Sequence, residues 1–483
     1  MKRIFIIICV LGITSISLYF IAKNGQEAAV PELKRTIVCP SPWNSKWSEP
    51  GDTTVAKNAT AVYYLSSSKG NDSNDGRSPD TPWKTIQKVN ATALLPGDAI
   101  LFKRGDTWNE EISPSSSGTL TKPIIFGAYG KDGSRPILKN SDAYAVVINN
   151  KNFITLNNLD IRNCKYCIQI LNSDSITLEY MNVGLNAEGS GIDIDKGSDR
   201  GIIQYSEING GTEVQDERDM IRLMDGSNWN IHHNLIANFG HDGINLVGRI
   251  PKWHDVEAHV TKNDIHHNEF FTKLGYGRAF STQGNGPGYA SKNKFYNNYI
   301  HDVNVSIQIQ GDYNEVYENT IVGVYKSPQK PDDEVFQAAG ISLNDYIYSA
   351  NNKIYNNIIA YTDGPGINAN TSDKGNEIYN NFIYRAGQYR GSLASLYNIG
   401  LYIAEKGLKY GNISGAQKYT NNSIYSPDTD KTIIYRELHY QNVSPITVAE
   451  FNARNGQNGD DITKNSGQKF SLTSECKVGS VQP

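Results

Sequence analysis

The sequence has no excess of positive charge, little methionine and few apolar residues for its length. Its 483 residues carry 46 Lys and Arg against 50 Asp and Glu, which gives a net charge of −4. This balance argues against a nucleic-acid-binding protein. Apolar residues make up only 38% of the chain and methionine only 4 positions. We therefore expect a thin interior.

Disorder and a helical bundle are both disfavoured by the composition. Aromatic residues make up 10% of the chain, whereas disordered chains have few of them. The 51 Asn and 43 Gly residues are poor formers of helix interiors. The length alone suggests two or three globular domains, but a repeat would make it one.

Cysteine is also scarce, with 5 residues in the chain. Cys9 lies in the amino-terminal apolar run, and the other four are Cys39, Cys164, Cys167 and Cys476. Disulfide bonds between so few cysteines cannot be the main source of stability for a chain this long. No thioredoxin-like pattern surrounds Cys164-x-x-Cys167, so a turn disulfide or two free thiols are the alternatives.

One long apolar run, residues 4–22, follows Lys2 and Arg3 and contains no charged residue. The positive charge holds the amino terminus in the cytoplasm and places the rest outside. Residues 1–22 are thus expected to be a signal peptide or an uncleaved signal anchor, and both stay open. The mature protein is expected to be secreted, periplasmic or at the cell surface. A linker of residues 23–60 follows, and the membrane is contacted only through the amino-terminal segment.

A repeat organises the rest of the chain. Seven segments such as NIHHNLI, KFYNNYI and KIYNNII align on one asparagine, and a shorter strand-like segment precedes most of them. Apolar residues alternate with period two, which indicates strands. The aligned residues are Asn234, Asn268, Asn298, Asn319, Asn357, Asn381 and Asn422. We expect their side chains to point inward at a bend and to hydrogen-bond along a stack of coils.

This I-x-N-N-x-I pattern resembles the right-handed parallel β-helix proteins of the pectate-lyase-like superfamily. The resemblance covers residues 141–425, and residues 61–140 are similar to the amino-terminal cap and first coils of many such proteins. It implies an all-β, single-stranded right-handed parallel β-helix (a solenoid) with an amino-terminal cap, and residues 426–483 as a carboxy-terminal coil and cap. It also implies polysaccharide lyases, glycoside hydrolases or sugar epimerases that act along the helix surface.

Aligning the shorter strands predicts an outward column of polar side chains. Such a face suits a chain of sugar hydroxyls, although an ordinary solvated sheet face has the same composition. The members of the column are Gln169, Asp193, Arg222, Asn245, Ser281, Gln308, Ser342 and Asn368.

The candidate catalytic residues are Asp193, Asp195, Arg222, His241 and Asp242. The α-carbons of Asp193 and Asp195 are expected about 6.7 Å apart on one side of a strand. This is close to the carboxyl separation of inverting glycosidases, about 6.5–9.5 Å. The same spacing suits a calcium ion, although the sequence names no metal ligands. Arg222 would neutralise a uronate carboxylate in a lyase, or simply pair with Asp193.

The candidate substrate-binding residues are Arg218, Asn245, Arg249, Trp253 and Gln308. The insertion at residues 248–262 interrupts the repeat beside the ionisable cluster, where we expect it to wall a groove. Trp253 would stack on a sugar ring or pack on the helix.

His232, His233, His266 and His267 occupy positions that Tyr, Asn or Glu fill in other coils, so we interpret them as structural.

The sequence thus predicts an exported polysaccharide-processing enzyme, with β-elimination on an acidic glycan as the leading hypothesis. Hydrolysis by paired carboxylates is the first alternative, and a non-catalytic glycan-binding surface protein is the second. Polysaccharide is the expected partner and nucleic acid is not.

Overall fold

The structure is a computed structural model that describes most of the chain from residue 56 to residue 425. The described residues are 35–37, 56–131, 133–185, 190–211, 219–249, 257–272, 277–284, 286–325, 338–344, 348–371, 375–387, 401–404, 417–425, 433–437, 442–446, 449, 461–464 and 470–472.

The chain winds into coils whose strands stack in parallel, one above the next. Sheet 1 holds the shorter strands of the repeat, and two long strands enter it from sheet 3 across a bend. The strands of sheet 1 are Ile137–Asn149, Asp160–Leu171, Ile192–Asp195, Asp219–Leu223, Asp242–Gly248, Arg278–Gly284, Val305–Ile309, Ile341–Asn344, Ile367–Asn370, Leu401–Ala404 and Ile433–Glu437. Asn442–Ile446 closes the sheet as an antiparallel neighbour.

Sheet 2 runs from the first described coil and carries the residues just before each aligned asparagine. Its strands are Val62–Leu65, Ala99–Lys103, Ile124–Tyr129, Ile154–Asn157, Thr177–Glu179, Ile202–Gln204, Asn230–His232, Asp264–His266, Lys294–Tyr296, Glu315–Tyr317, Lys353–Tyr355, Asn376–Tyr379 and Gln417–Tyr425.

Sheet 3 carries the residues just after each asparagine. Its strands, besides the two long ones shared with sheet 1 and the last one of sheet 2, are Thr107–Trp108, Asn182–Leu185, Glu207–Asn209, Leu235–Ala237, Glu269–Phe271, Tyr299–Val303, Thr320–Val324, Ile358–Thr362, Phe382–Ala386 and Asp461–Lys464. A small sheet 4 joins Gly226–Ser227, Val260–Thr261, Ala290–Ser291, Gly311–Asp312 and Ser349–Ala350.

Residues 61–140, predicted as the amino-terminal cap and first coils of the β-helix, contribute three strands to sheet 2 and the one described α-helix, Ile86–Asn90. The Thr85 side chain caps this helix by accepting a hydrogen bond from the Lys88 backbone. Ile86 and Val89 are buried against the apolar interior, which continues into the later coils. A separate parallel pair joins Arg35–Ile37 to Phe470–Leu472.

The predicted asparagine ladder is present over all seven coils. Each side-chain amide donates to the Oδ1 of the next asparagine at 2.9–3.1 Å, from Asn234 through to Asn422. The residue before each of these seven asparagines has a positive φ, as Asn297 does with 52°. Asparagine tolerates this left-handed turn, which explains part of its abundance.

A second asparagine ladder, which we did not predict, runs along sheet 4. Its members also bond amide to Oδ1, at 2.9–3.1 Å. They are Asn263, Asn293, Asn314, Asn352 and Asn376. Both ladders satisfy buried polar groups that a slender core would otherwise leave unpaired.

Cys164 and Cys167 form a disulfide, one of the two alternatives for this pair. Cys9, Cys39 and Cys476 lie outside the described residues, as do the amino-terminal apolar run and the linker apart from residues 35–37 and 56–60. Within the part of the chain that the structure describes, no helix is long and apolar enough to span a membrane.

Candidate functional site

The outward column of sheet 1 has the register that the sequence predicted. Asp193 pairs with Gln169 on one side and with Arg222 on the other, and the column continues through Asn245 and Ser281. Gln308, Ser342 and Asn368 follow in the next coils. The polar side chains of successive coils therefore form one continuous strip.

Asp193 lies in the first charged part of this strip and is buried, with 2% of its surface exposed. Arg222 Nε donates to its Oδ1 at 3.0 Å, and the Tyr144 hydroxyl donates to its Oδ2 at 3.1 Å. The Tyr144 ring stacks on that of Tyr166 at 5.0 Å. The expected cross-strand pair is thus present, and tyrosine is an additional member.

Asp219, His241 and Asp242 form a second cluster in the next two coils. His241 Nδ1 lies 2.8 Å from Asp219 Oδ1 and 3.2 Å from Asp242 Oδ2. Asn245 Nδ2 donates to Asp219 Oδ2 at 3.1 Å. Asp219 and Asp242 are paired in the strand register, which brings the histidine at the start of one strand over the carboxylate of the other.

Arg278, from the following coil, joins this cluster. Its Nε and Nη2 donate to Asp242 Oδ1 and Oδ2 at 2.6 and 3.0 Å, a bidentate pair. Its Nη2 also lies 2.7 Å from His241 Nε2, and its Nη1 donates to Gln308 Oε1 at 2.8 Å. The Ser281 hydroxyl lies within hydrogen-bond distance of Asp242 Oδ2, at 2.9 Å.

The contact with Arg278 fixes the tautomer of His241. A guanidinium has only donors, so His241 Nε2 accepts and the imidazole proton lies on Nδ1, where it donates to Asp219. Asp219 therefore orients the ring and leaves Nε2 as its basic nitrogen. The geometry is that of a carboxylate–histidine dyad beside a fixed cation.

Burial and charge shift the pKa values of both members of the dyad. Burial raises the pKa of the Asp219 carboxyl, and the nearby charge of Asp242 adds to this, against the hydrogen bond from His241. Burial alone lowers the pKa of His241, but the Asp219 hydrogen bond and the charge of Asp242 outweigh it, so the net pKa is raised.

The basic side chains of the site, rather than the carboxylates, face solvent. The His241, Arg222 and Arg278 side chains are 34%, 32% and 21% exposed. Those of Asp193, Asp219 and Asp242 are 3%, 6% and 0% exposed. A ligand on this face would meet two guanidinium groups and an imidazole first, and such a surface favours anions.

Asp219, His241 and Asp242 could also hold a metal ion, because one donor atom from each lies within 4.8 Å of the others. The set includes an imidazole nitrogen, whereas calcium takes oxygen ligands. Arg278 already neutralises Asp242 in this arrangement. The three donors therefore fit calcium poorly and a nitrogen-tolerant ion better.

Two further predicted residues, Asp195 and Arg249, lie at the margins of the strip. Asp195 is half-buried, and its Oδ1 accepts a hydrogen bond from the Lys196 backbone at 2.7 Å. Arg249 is half-buried, with Nη2 2.8 Å from Met224 Sδ. Arg218 and Trp253 lie outside the described residues.

Sequence reasoning did not assign roles to Tyr144, Asp219 or Arg278. A usable signal existed for two of them, because Asp219, Asp242 and Arg278 occupy one register position in consecutive strands. Extending the column alignment three residues toward the amino end of each strand would have found it. Tyr144 gave no such signal, because it reaches Asp193 from two coils away.

Residues 144–321 match a family model described as the right-handed β-helix region. This part of the chain is a right-handed parallel β-helix. The match and the parallel stacking of the strands confirm the predicted right-handed parallel β-helix.

A curated relative of this β-helix is a lacto-N-biosidase from Bifidobacterium longum subsp. longum. The two are 31% identical over 140 residues, which are 23% of this chain. The match spans only 9% of the length of that relative.

Similar solved structures include a GH136 lacto-N-biosidase from Eubacterium ramulus and an alginate lyase from a Paenibacillus species. The first has a TM-score of 0.48 and 16% identity, and the match covers 71% of this chain and 67% of the other. The second has a TM-score of 0.47 and 14% identity, with coverage of 72% and 99%.

Proposed function

We propose that this protein is an exported polysaccharide-processing enzyme that cleaves an acidic glycan by β-elimination. The observation that carries the proposal is the hydrogen-bonded series Asp219–His241–Arg278, which places a basic nitrogen in contact with a cation. Export is supported by the apolar run at residues 4–22 behind Lys2 and Arg3.

Elimination from a uronate requires a cation and a base. The cation neutralises the sugar carboxylate, so that the proton on the adjacent carbon becomes acidic enough to remove. Arg278 supplies it beside His241, and Arg222, two coils before Arg278, supplies a second positive charge. The substrate carboxylate would take over donors of Arg278 and leave His241 Nε2 facing the α-proton.

In the proposed step, His241 Nε2 takes the α-proton of the uronate. The electron pair of that C–H bond forms the new double bond, and the bond from the β-carbon to the glycosidic oxygen breaks. The leaving oxygen keeps that electron pair and receives a proton from the protonated His241 or from water. Asp219 holds Nδ1–H throughout and stabilises the imidazolium while it exists.

Glycoside hydrolysis is the second candidate. The raised pKa of Asp219 is the property of a general acid, and Asp242, which pairs with Arg278, would be the second carboxyl group of the reaction. The 31% identity to a lacto-N-biosidase also favours it. Against it stands the burial of both carboxylates, which must reach a glycosidic oxygen and a water.

One experiment separates these reactions from each other and from glycan binding without catalysis. The purified protein is incubated with alginate, pectate, glycosaminoglycans and bacterial capsules, while unsaturated-uronate absorbance and reducing ends are both followed. Elimination produces the two signals in equal amounts. Reducing ends without unsaturation would reject elimination in favour of hydrolysis. Retention on an immobilised glycan without either product would reject both.

A matched pair of variants then tests the base. His241→Asn removes the proposed general base. His267→Asn makes the same change beside sheet 2, where Asn297 already occupies the equivalent position of the next coil. We expect loss of product with the first variant and unchanged turnover with the second. Equal turnover in the two would exclude His241 as the base.

A further inference from the structure

One register position on the outer side of sheet 2 carries charges of alternating sign in six consecutive coils. Each of these residues is paired with the next in the strand register. In the three coils before them the same position holds the uncharged residues Thr177, Ile202 and Asn230. We name the six charged residues the charge column; they are Asp264, Lys294, Glu315, Lys353, Glu377 and Lys418.

The charges of this column are not neutralised by one another. Alternating charges on neighbouring strands can stabilise a sheet by pairing across the strands. Within the part of the chain that the structure describes, however, no member of the charge column forms an ion pair, and its three lysines are exposed. Glu315 instead accepts a hydrogen bond from the Tyr355 hydroxyl at 3.0 Å. The three ammonium groups therefore remain available to a partner.

A second column, two residues further along the same strands, makes this face regular and rigid. It consists of four tyrosine rings that stack at 4.8–4.9 Å and lie within 3° of parallel. Side chains held in this way lose little further freedom when another surface covers them, and tyrosine is enriched at protein interfaces. The members of this tyrosine column are Tyr296, Tyr317, Tyr355 and Tyr379.

Symmetry decides which partner matches an alternating column with an even number of charges. Two copies that meet face to face can be related by a twofold axis along the β-helix or along the strands. An axis along the β-helix would place each charge against its own copy, and like charges repel. An axis along the strands reverses the order of the coils. Glu315 then faces the partner's Lys353, and every other member of the charge column also faces a charge of opposite sign.

The flanking columns also fit the second arrangement. An axis along the strands keeps each column opposite its own copy, so the tyrosine column lies against that of the partner. Glu318, an exposed charge at the bend after the tyrosine column, faces the partner's Asn356, which is neutral. Lys292, an exposed charge at the bend before the charge column, faces the partner's Gly375. These two flanking charges therefore meet no charge of their own sign.

We infer that the outer face of sheet 2 is the interface of a dimer with a second copy of this chain, related by a twofold axis that runs along the strands between Glu315 and Lys353. Each charge of the column pairs across this interface. The column spans about 24 Å, which is short for a stable interface, so the dimer is weak and sensitive to salt. The strip that holds the candidate site lies on sheet 1 and remains open.

Sedimentation equilibrium of the purified full-length protein tests for the dimer. At low ionic strength we expect a monomer–dimer equilibrium. Its dissociation constant should rise about tenfold between about 0.05 M and about 0.5 M salt, because salt screens the exposed ion pairs. Monomer alone at protein concentrations up to about 0.2 mM in low salt would overturn the inference. So would a dimer whose affinity does not change with salt.

Reversing the charges beside the axis tests the register. Glu315→Lys and Lys353→Glu should each weaken the dimer about tenfold, because each places like charges opposite one another twice in the symmetric interface. The double variant should restore the affinity, since the two positions again face charges of opposite sign. Any other register of the two copies would leave the double variant as weak as the single ones.

Lys84→Glu is the matched control, because it makes the same change at an exposed position in the first coils. Its dissociation constant should equal that of the unaltered protein. Circular dichroism and melting check that every variant is folded. The inference is wrong if the single variants dimerise normally, if the double variant does not recover, or if Lys84→Glu weakens the dimer as much as Lys353→Glu.

Discussion

His241 Nδ1 lies 2.8 Å from Asp219 Oδ1, although the two residues belong to different coils and are 22 positions apart. The parallel register that pairs Asp219 with Asp242 brings them together. In a β-helix, a dyad of this kind depends on the length of the loop between two strands rather than on a local motif. The chemistry proposed for this strip therefore depends on coil register as much as on residue type.

Asp219→Asn should reduce the rate of product formation strongly while leaving the protein folded. The new amide would donate to His241 Nδ1, so the imidazole proton would move to Nε2 and the basic nitrogen would no longer face the substrate. Loss of the correct tautomer in a related dyad costs about 10⁴-fold, and we expect about 10²–10⁴-fold here. Steady-state kinetics on the cleaved glycan measure it. A loss below threefold would contradict the dyad.

The raised pKa of His241 predicts the pH dependence of cleavage. A general base acts only when it is neutral, so kcat/KM should rise with pH through a value above 6.5, the ordinary pKa of histidine. The hydrogen bond from Asp219 causes part of the rise, so any residual activity of Asp219→Asn should reach its plateau at lower pH. Rates measured from pH 5 to about 9 give both curves. A profile that falls with increasing pH would instead indicate an acid.

Asp242 has no exposed surface and depends on Arg278 for its charge balance. Arg278→Ala would leave a buried carboxylate without its bidentate partner, and we expect the free energy of unfolding to fall by about 3–5 kcal/mol. Urea denaturation measures this.

Arg200→Ala is the control for that change. Arg200 pairs with Asp174 at the surface, where the two side chains are 56% and 33% exposed. Solvent screens such a pair, so the change should cost less than about 1 kcal/mol. Similar losses in both variants would mean that Asp242 is not held by Arg278 in solution.

The sequence was sufficient for those features that repeat and insufficient for those that occur once. The asparagine ladder could be predicted because the same residue recurs at the same bend in seven coils, and each copy makes the same bond. The polar column of sheet 1 followed from the same alignment. The alignment compares one position in each coil, so the unequal lengths of the loops between coils do not disturb it.

The partners of single residues are different. Tyr144 reaches Asp193 across 49 positions and Arg278 reaches His241 across 37, through coils of unequal length. Which side chain turns toward which is decided by rotamers and by packing between coils. A period-two pattern carries no information about either, so the site could be located but not assembled.

Asn298 tests how much the ladder stabilises the helix. Its side chain donates to Asn319 Oδ1 and to the Ile265 carbonyl, and accepts from the amide of Asn268. Asn298→Ala leaves several buried groups unpaired, at about 1–3 kcal/mol each before relaxation. We expect a total loss of about 2–4 kcal/mol by chemical denaturation. Lys294→Ala, exposed in the same coil, should change stability by less than about 0.5 kcal/mol.

The histidine quartet, formed by the stacked rings of His232, His233, His266 and His267, should make the protein less stable as the pH falls from about 6.5 to about 4. His232 and His266 have a pKa of about 4 in the folded chain, below the ordinary value of 6.5, because burial disfavours their charged form. The unfolded chain therefore binds more protons in this window, and stability is lost on acidification. Both rings are half-exposed, so solvent screening limits the loss to about 1–2 kcal/mol.

The fourfold variant with His232→Tyr, His233→Asn, His266→Tyr and His267→Asn isolates this effect. His241 and His301 have raised pKa values, because their carboxylate hydrogen bonds outweigh the effect of burial, so they change stability mainly as the pH rises above 6.5. Since the variant retains both, the difference between the two stability curves belongs to the quartet. The melting temperature of the variant should fall less between pH 6.5 and pH 4. Parallel curves would show that the quartet titrates normally, and its rings would then be better hydrated than their stacking implies.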